Sequence, residues 1–193
     1  MATCIPRVIL LTGVPGVGKT TLIKKVSEKL KSSSVKVAGF YTEEERVRGQ
    51  RIGFNVITLD GEKGCLAKVQ IDDIPQGRQY TVGKYTVCLQ SFEMTALPTL
   101  NIKGKGNDIV VIDEIGKMEL FSQSFIRSVR CVMDTKGLTV IATIPVPKGR
   151  PLQLVEEIRA RKDTHVYTVT KENRDRIIDE VFNSVMESIK HNT

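Results

Sequence analysis

The chain has 193 residues, 40% hydrophobic and 26% charged, which suits one globular domain with a sizeable core. No apolar run approaches the ~20 residues of a membrane-spanning helix, and the short run near the start has no cleavage-site pattern behind it, so no membrane contact or secretory leader is expected and the location is read as cytoplasmic. The net charge of +7 invites a polyanionic partner, but the basic residues are scattered and no aromatic-interleaved basic stretch occurs, so nucleic-acid binding has no motif behind it.

In chain order, Val8–Thr12 is a short apolar run, as expected of a strand buried on both faces. A glycine-rich turn follows, then a helix with Leu22, Ile23, Val26 and Leu30 on one face, closed by Ser32-Ser33-Ser34. Val35–Tyr41 reads as a second strand. From about 43 to 90 the pattern changes: Arg51–Leu59 and Cys65–Ile71 read as strands joined at Asp60-Gly61, and Tyr80–Val82 and Tyr85–Leu89 as a hairpin turning at Gly83-Lys84. This stretch is read as a β-rich antiparallel insertion within a single domain spanning 1–193.

A short helix over Ser91–Leu97 is expected to stop near Pro98, and Asn101–Asn107 reads as a basic loop. Ile109–Ile112 is a buried strand. Phe121, Phe125, Val129, Val132 and Met133 mark a helical face, and Leu138–Thr143 a strand placed beside the first. Leu152, Val155 and Ile158 suggest a helix, Val166–Val169 a strand, and Ile178, Val181, Phe182, Val185 and Ile189 a last helix. Alternating strands and helices imply an α/β fold with a mostly parallel sheet covered on both faces. The cysteines, Cys4, Cys65, Cys88 and Cys131, show no CxxC spacing and only His165 and His191 accompany them, so zinc is not expected and reduced thiols are.

Two motifs carry chemistry. Gly13-Val14-Pro15-Gly16-Val17-Gly18-Lys19-Thr20 fits G-x-x-x-x-G-K-[ST] between a buried strand and a helix. The glycines let successive N–H groups turn towards phosphate oxygens, the helix start adds its free N–H groups and positive dipole end, the Lys19 ammonium suits the β- and γ-phosphates, and the Thr20 hydroxyl suits Mg²⁺. The second motif is the strand Ile109–Ile112 ending in Asp113-Glu114. Strand ends of this kind lie at the ligand-binding edge of α/β sheets. Asp113 is expected to hold Mg²⁺ with Thr20, and Glu114 to polarise a water as general base. Asp113–Gly116 also fits the D-x-x-G of regulatory GTPases, but the Asn-Lys-x-Asp sequence that reads guanine does not occur.

Weaker candidates surround these. Thr143 could sense a terminal phosphate, Lys117 could steady charge on a transferred phosphoryl group, and Glu119 is expected to be solvated. Arg46, Arg48, Lys148, Arg150, Arg159 and Arg161 are all candidate cationic fingers, and the sequence selects none. Asn173 could bond a base edge and Arg174 stack on it.

These blocks, together with LTGVPGVGKTT at 11–21, GFYTEE at 39–44, RIGF at 51–54, VIDEIGKMELF at 111–121, TIPVPKG at 143–149 and TVTKENR at 168–174, run nearly end to end. In them the sequence resembles the small P-loop nucleoside-triphosphatases of thermophiles and animals. The resemblance implies a RecA-like P-loop fold, a three-layer sandwich, with Mg²⁺-dependent hydrolysis of ATP, GTP, CTP and UTP to the diphosphate and phosphate and little base preference. It assigns the nucleotide site to Gly13–Thr20 and to Val110, Val111, Ile112, Asp113, Glu114, Ile115, Gly116 and Lys117, with Glu114, Lys19 and Lys117 catalytic. A monomer is expected. The Thr42-Glu43-Glu44 block looks functional on the same ground, as a lid or a metal-side element. The competing expectations are a nucleotide, nucleoside or polynucleotide kinase, and a nucleic-acid-binding switch.

Overall fold

The computed structural model describes residues 5–69, 79–102 and 104–192. Cys4, Lys103 and the last two positions of the strand expected over Cys65–Ile71 lie outside them. β1 (Val8–Thr12) is wholly buried, and α1 (Lys19–Ser32) starts six residues after it ends, across the glycine turn. β2 (Val37–Val47) begins two residues later than expected and runs six further, through the Thr42-Glu43-Glu44 block. Its second half is polar, so no apolar run announces it. It is held by the antiparallel ladder to β3 (Gln50–Thr58), down to the pair Val47–Gln50.

β4 (Lys63–Val69), β5 (Thr81–Val82) and β6 (Tyr85–Val87) continue the antiparallel part. α2 (Leu89–Leu100) then runs straight through Pro98, where a stop was expected. The proline sits in the last turn, where it removes a single backbone bond. Burial of Leu100 and a bond from Thr99 Oγ1 to the Ala96 carbonyl hold that turn in place.

The second half alternates as expected: β7 (Ile109–Ile112), a 3₁₀ turn at Glu119–Phe121, α3 (Gln123–Asp134), β8 (Thr139–Thr143), α4 (Gln153–Arg159), β9 (Thr164–Thr168) and α5 (Ile177–Asn192). Among the described residues the nine strands form one sheet in the order β5-β6-β4-β3-β2-β7-β8-β1-β9. β2, β7, β8, β1 and β9 pair in parallel, whereas the strands from β3 outward are antiparallel. The sheet is therefore mixed rather than mostly parallel. The insertion does not stand apart, because β2 belongs to both halves and fuses them.

Side chains alternate across the sheet and build two cores. On one face Val8, Leu10, Val110, Ile112, Val140 and Ala142 meet α2, α3 and α4. On the other, Ile9, Leu11, Ile109, Val111 and Ile141 meet α1 and α5. Among the described residues no helix is long and apolar enough to cross a membrane.

The first core centres on Phe40, Phe92 and Phe125, with Phe92 and Phe125 rings 5.3 Å apart, edge to face, and all three wholly buried. Phe92→Ala is expected to cost ~3–5 kcal/mol. Urea unfolding checks this, with a lower midpoint and an unchanged slope.

Candidate functional site

Parallel pairing brings the carboxyl ends of β1, β7 and β8 side by side: Leu11 stands opposite Thr143, and Ile112 opposite Ala142. Everything that leaves these ends meets in one place. The chain leaves β1 into the turn Gly13–Gly18, with Val14, Pro15 and Gly16 exposed, Val17 anchored in the core, and Gly16 and Gly18 at φ +77° and +113°, where side chains are strained. α1 follows with free N–H groups in its first turn and no acidic residue there. Lys19 is buried, and its Nζ donates to the Gly13 carbonyl at 2.9 Å. The turn, the helix start and the ammonium together present only positive ends to whatever lies across the loop.

Asp113 lies at the centre of this edge, 1% exposed. Thr20 Oγ1 donates to its Oδ2 at 2.7 Å, Thr143 Oγ1 donates to its Oδ1, and the Thr42 N–H approaches Oδ2 at 3.4 Å. Burial pushes the Asp113 carboxyl up, and these three donors with the nearby Lys19 charge oppose that rise without cancelling it. Thr143 is itself wholly buried, and its hydroxyl holds Asp113. The Thr42 contact places the 42–44 block beside Asp113. Glu43 pairs with Lys24, and Glu44 binds Arg46 and Arg51, whose charges hold its carboxyl below the usual range.

The donors beside Asp113 are a hydroxyl and a carboxylate, hard oxygens of the kind magnesium takes. Among the described residues no group of three or more His, Cys, Asp or Glu could hold a metal. Magnesium keeps most of its waters and takes one or two protein ligands alongside phosphate oxygens.

Glu114 follows through a cis peptide bond, partly exposed, with Oε2 3.9 Å from Lys19 Nζ. Burial raises its carboxyl, Lys19 opposes the rise, and Asp113 adds to it. A Cβ at Gly116 would lie 2.6 Å from Glu114 Oε1 and 3.0 Å from Glu119 Oε2, so a side chain there would displace those carboxylates. Glu119, expected in solvent, is 4% exposed and accepts from the Gly116 N–H at 3.2 Å. The 3₁₀ turn folds it inward beneath Gly116, which no local pattern announces.

Other candidates separate. Val110, Val111, Ile112 and Ile115 are wholly buried in the sheet and its flank, where their side chains serve the cores and present no surface. Lys117 is exposed and lines a cavity of about 890 Å³ with Arg150 and Gln153. Arg46 is tied to Glu44, and Arg161 to Asp134 and Asp163. The Asn173 amide is spent on its own loop, accepting from the Thr170 N–H and donating to the Thr168 carbonyl. Arg174 reaches the glycine turn, its Cδ 3.7 Å from where a Cβ on Gly18 would stand.

A family model described as NTPase matches residues 8–182. The chain is 55% identical over 188 residues to the cancer-related nucleoside-triphosphatase of Homo sapiens, covering 95% of this chain and 99% of that protein. It is 44% identical over 173 residues to the nucleoside-triphosphatase THEP1 of Thermotoga sp. (strain RQ2), covering 90% and 92%. The solution structure of a human cancer-related nucleoside triphosphatase superposes with a TM-score of 0.82 at 54% identity, covering 94% of this chain and 98% of that one. The crystal structure of THEP1 from Aquifex aeolicus gives 0.77 at 38% identity, covering 90% and 96%.

Glu119 yields a stability prediction. Burial first, then the Glu114 charge, pushes its carboxyl from 4.5 up to about 8. Between those values the folded chain keeps a proton that the unfolded chain has lost. Stability from this group therefore falls as pH rises, by at most ~1.4 kcal/mol per pH unit. Glu119→Gln keeps an acceptor for Gly116 and removes the titration. Unfolding midpoints at pH 5 and pH 9 should fall less in the variant than in the parent; parallel behaviour would contradict the assignment.

Proposed function

The chain belongs to the NTPase family, and from that premise we propose that it is a Mg²⁺-dependent nucleoside-triphosphatase with a RecA-like P-loop fold in one domain, releasing diphosphate and phosphate. The single observation that supports hydrolysis best is Glu114. It stands beside the buried Asp113 at the strand end, 3.9 Å from the Lys19 ammonium and partly open to solvent, where a water can reach it.

In this reading the triphosphate lies along the Gly13–Thr20 turn, its charge met by N–H groups of the turn and by the start of α1. Lys19 exchanges its bond to the Gly13 carbonyl for phosphate oxygens and offsets charge on the transferred group. Thr20 and Asp113 would hold Mg²⁺, which would supply charge neutralisation at the phosphates. Asp113 serves best as an anion, and its three donors favour that form. Glu114 takes a proton from the attacking water, and Lys19, 3.9 Å away, opposes the rise that burial imposes on its carboxyl. Lys117, exposed just beyond Gly116, is the cation available to the leaving charge. Weak base preference is supported by Asn173, whose amide is already satisfied within its loop.

Glu114→Gln is expected to slow phosphate release from ATP, GTP, CTP and UTP by about 10²–10⁴-fold, with nucleotide binding retained. Lys19→Ala should lose both. An unchanged rate in Glu114→Gln removes it from the role of base, and label recovered on an added acceptor instead of as free phosphate turns the reading towards a kinase.

A further inference from the structure

Two thiols lie outside the nucleotide chemistry and against each other. Cys65 is in β4 and Cys88 directly precedes α2, and their sulfurs stand 2.9 Å apart, with the Cys65 S–H directed at Cys88. The backbone fixes this approach. The Cys88 N–H donates to the Leu66 carbonyl at 2.9 Å, and the Cys65 N–H donates to Ser91 Oγ at 2.8 Å, so strand and helix start are tied on both sides of the pair. A disulfide has its sulfurs ~2.05 Å apart, so bond formation asks for a movement under about 1 Å. Both residues are half-buried, within reach of a small oxidant, and neither belongs to the catalytic edge.

We propose that Cys65 and Cys88 are a modification site that closes to a reversible intramolecular disulfide when a hydroperoxide oxidises it. Burial, then the Cys88 neighbour, pushes the Cys65 thiol up, and its S–H is directed at Cys88, so the proposed order has Cys88, at the start of α2, meet the oxidant first. The Cys88 sulfur attacks the terminal peroxide oxygen and the O–O bond breaks, leaving a sulfenic acid and water or an alcohol. The Cys65 sulfur then attacks the Cys88 sulfur. The S–O bond breaks, and hydroxide leaves as water with the Cys65 proton. The pair loses two electrons and the peroxide gains them.

The new bond staples β4 to the start of α2. That helix carries Glu93, which accepts from Ser122 Oγ, and Ser122 in turn caps α3 through the Phe125 N–H. Oxidation therefore ties the antiparallel part of the sheet to α2 and, through Glu93 and Ser122, to α3.

The test uses the full chain with Cys4→Ser and Cys131→Ser, treated with equimolar hydrogen peroxide. The expected result is an intact mass lower by two hydrogens, a peptide pair joining positions 65 and 88, and a Tm higher by ~10 °C, all reversed by dithiothreitol. Cys88→Ser in the same background should show no rise in Tm, while its phosphate release before oxidation matches the parent. Oxygen added to either sulfur without a linked peptide, or a disulfide formed only between two molecules, overturns the proposal. So does an equal rise in Tm in Cys88→Ser.

Discussion

A carboxylate 1% exposed is costly unless each oxygen finds a donor, and the way Asp113 finds its donors organises the molecule. Its partners come from three other elements: Thr20 from the first turn of α1, Thr143 from the end of β8 and the Thr42 N–H from the middle of β2. Satisfying this one group requires β7 to lie between β2 and β8 and requires α1 to start beside both. The same convergence leaves a hydroxyl and a carboxylate together at the edge where the glycine turn opens. Structural need and metal-binding capacity thus fall on the same atoms.

The sheet explains why these residues can meet. Parallel strands deliver all their carboxyl ends to one edge, and the two cores fix β1, β7 and β8 from both faces, with the buried Thr139–Ser188 hydroxyl pair tying β8 to α5. β2 then leaves the parallel part with its polar half and pairs with β3, so the antiparallel strands are anchored to the strand that supplies the Thr42 N–H. The carboxylates beyond Asp113 are graded by depth. Glu114 is partly open and balanced by Lys19, whereas Glu119 is sealed beneath Gly116 with its carboxyl up at about 8. Burial raises the carboxyls of all three acids within these seven residues, and their neighbours oppose the rise at Asp113 and Glu114.

What the sequence made legible was local. The buried strand, glycine turn and helix at 8–32, and the apolar run into Asp113-Glu114, are each specified within a few residues. The three-element convergence on Asp113 was only half visible, because Thr143 and Thr42 are unremarkable until strand pairing brings them there. β2 was cut short at Tyr41 because Thr42–Arg46 is polar, and main-chain pairing with β3, which no side-chain pattern records, carries it on. Glu119 was placed in solvent because a charged residue between Met118 and Leu120 looks exposed, and only the inward turn beneath Gly116 buries it. Cys65 and Cys88 looked scattered because the spacing between them says nothing of the contact made by β4 and the start of α2. Family resemblance also named Val110–Ile112 as part of the site, and their side chains lie buried in the two cores.

The central claim is that Asp113 joins the fold to the metal. Titration calorimetry of a non-hydrolysable triphosphate analogue, with and without magnesium, on the parent chain and on Asp113→Asn tests it most directly. The account predicts that magnesium tightens binding to the parent, and that Asp113→Asn, still folded by circular dichroism, keeps the metal-free affinity but loses the gain. An equal gain from magnesium in both proteins would contradict it.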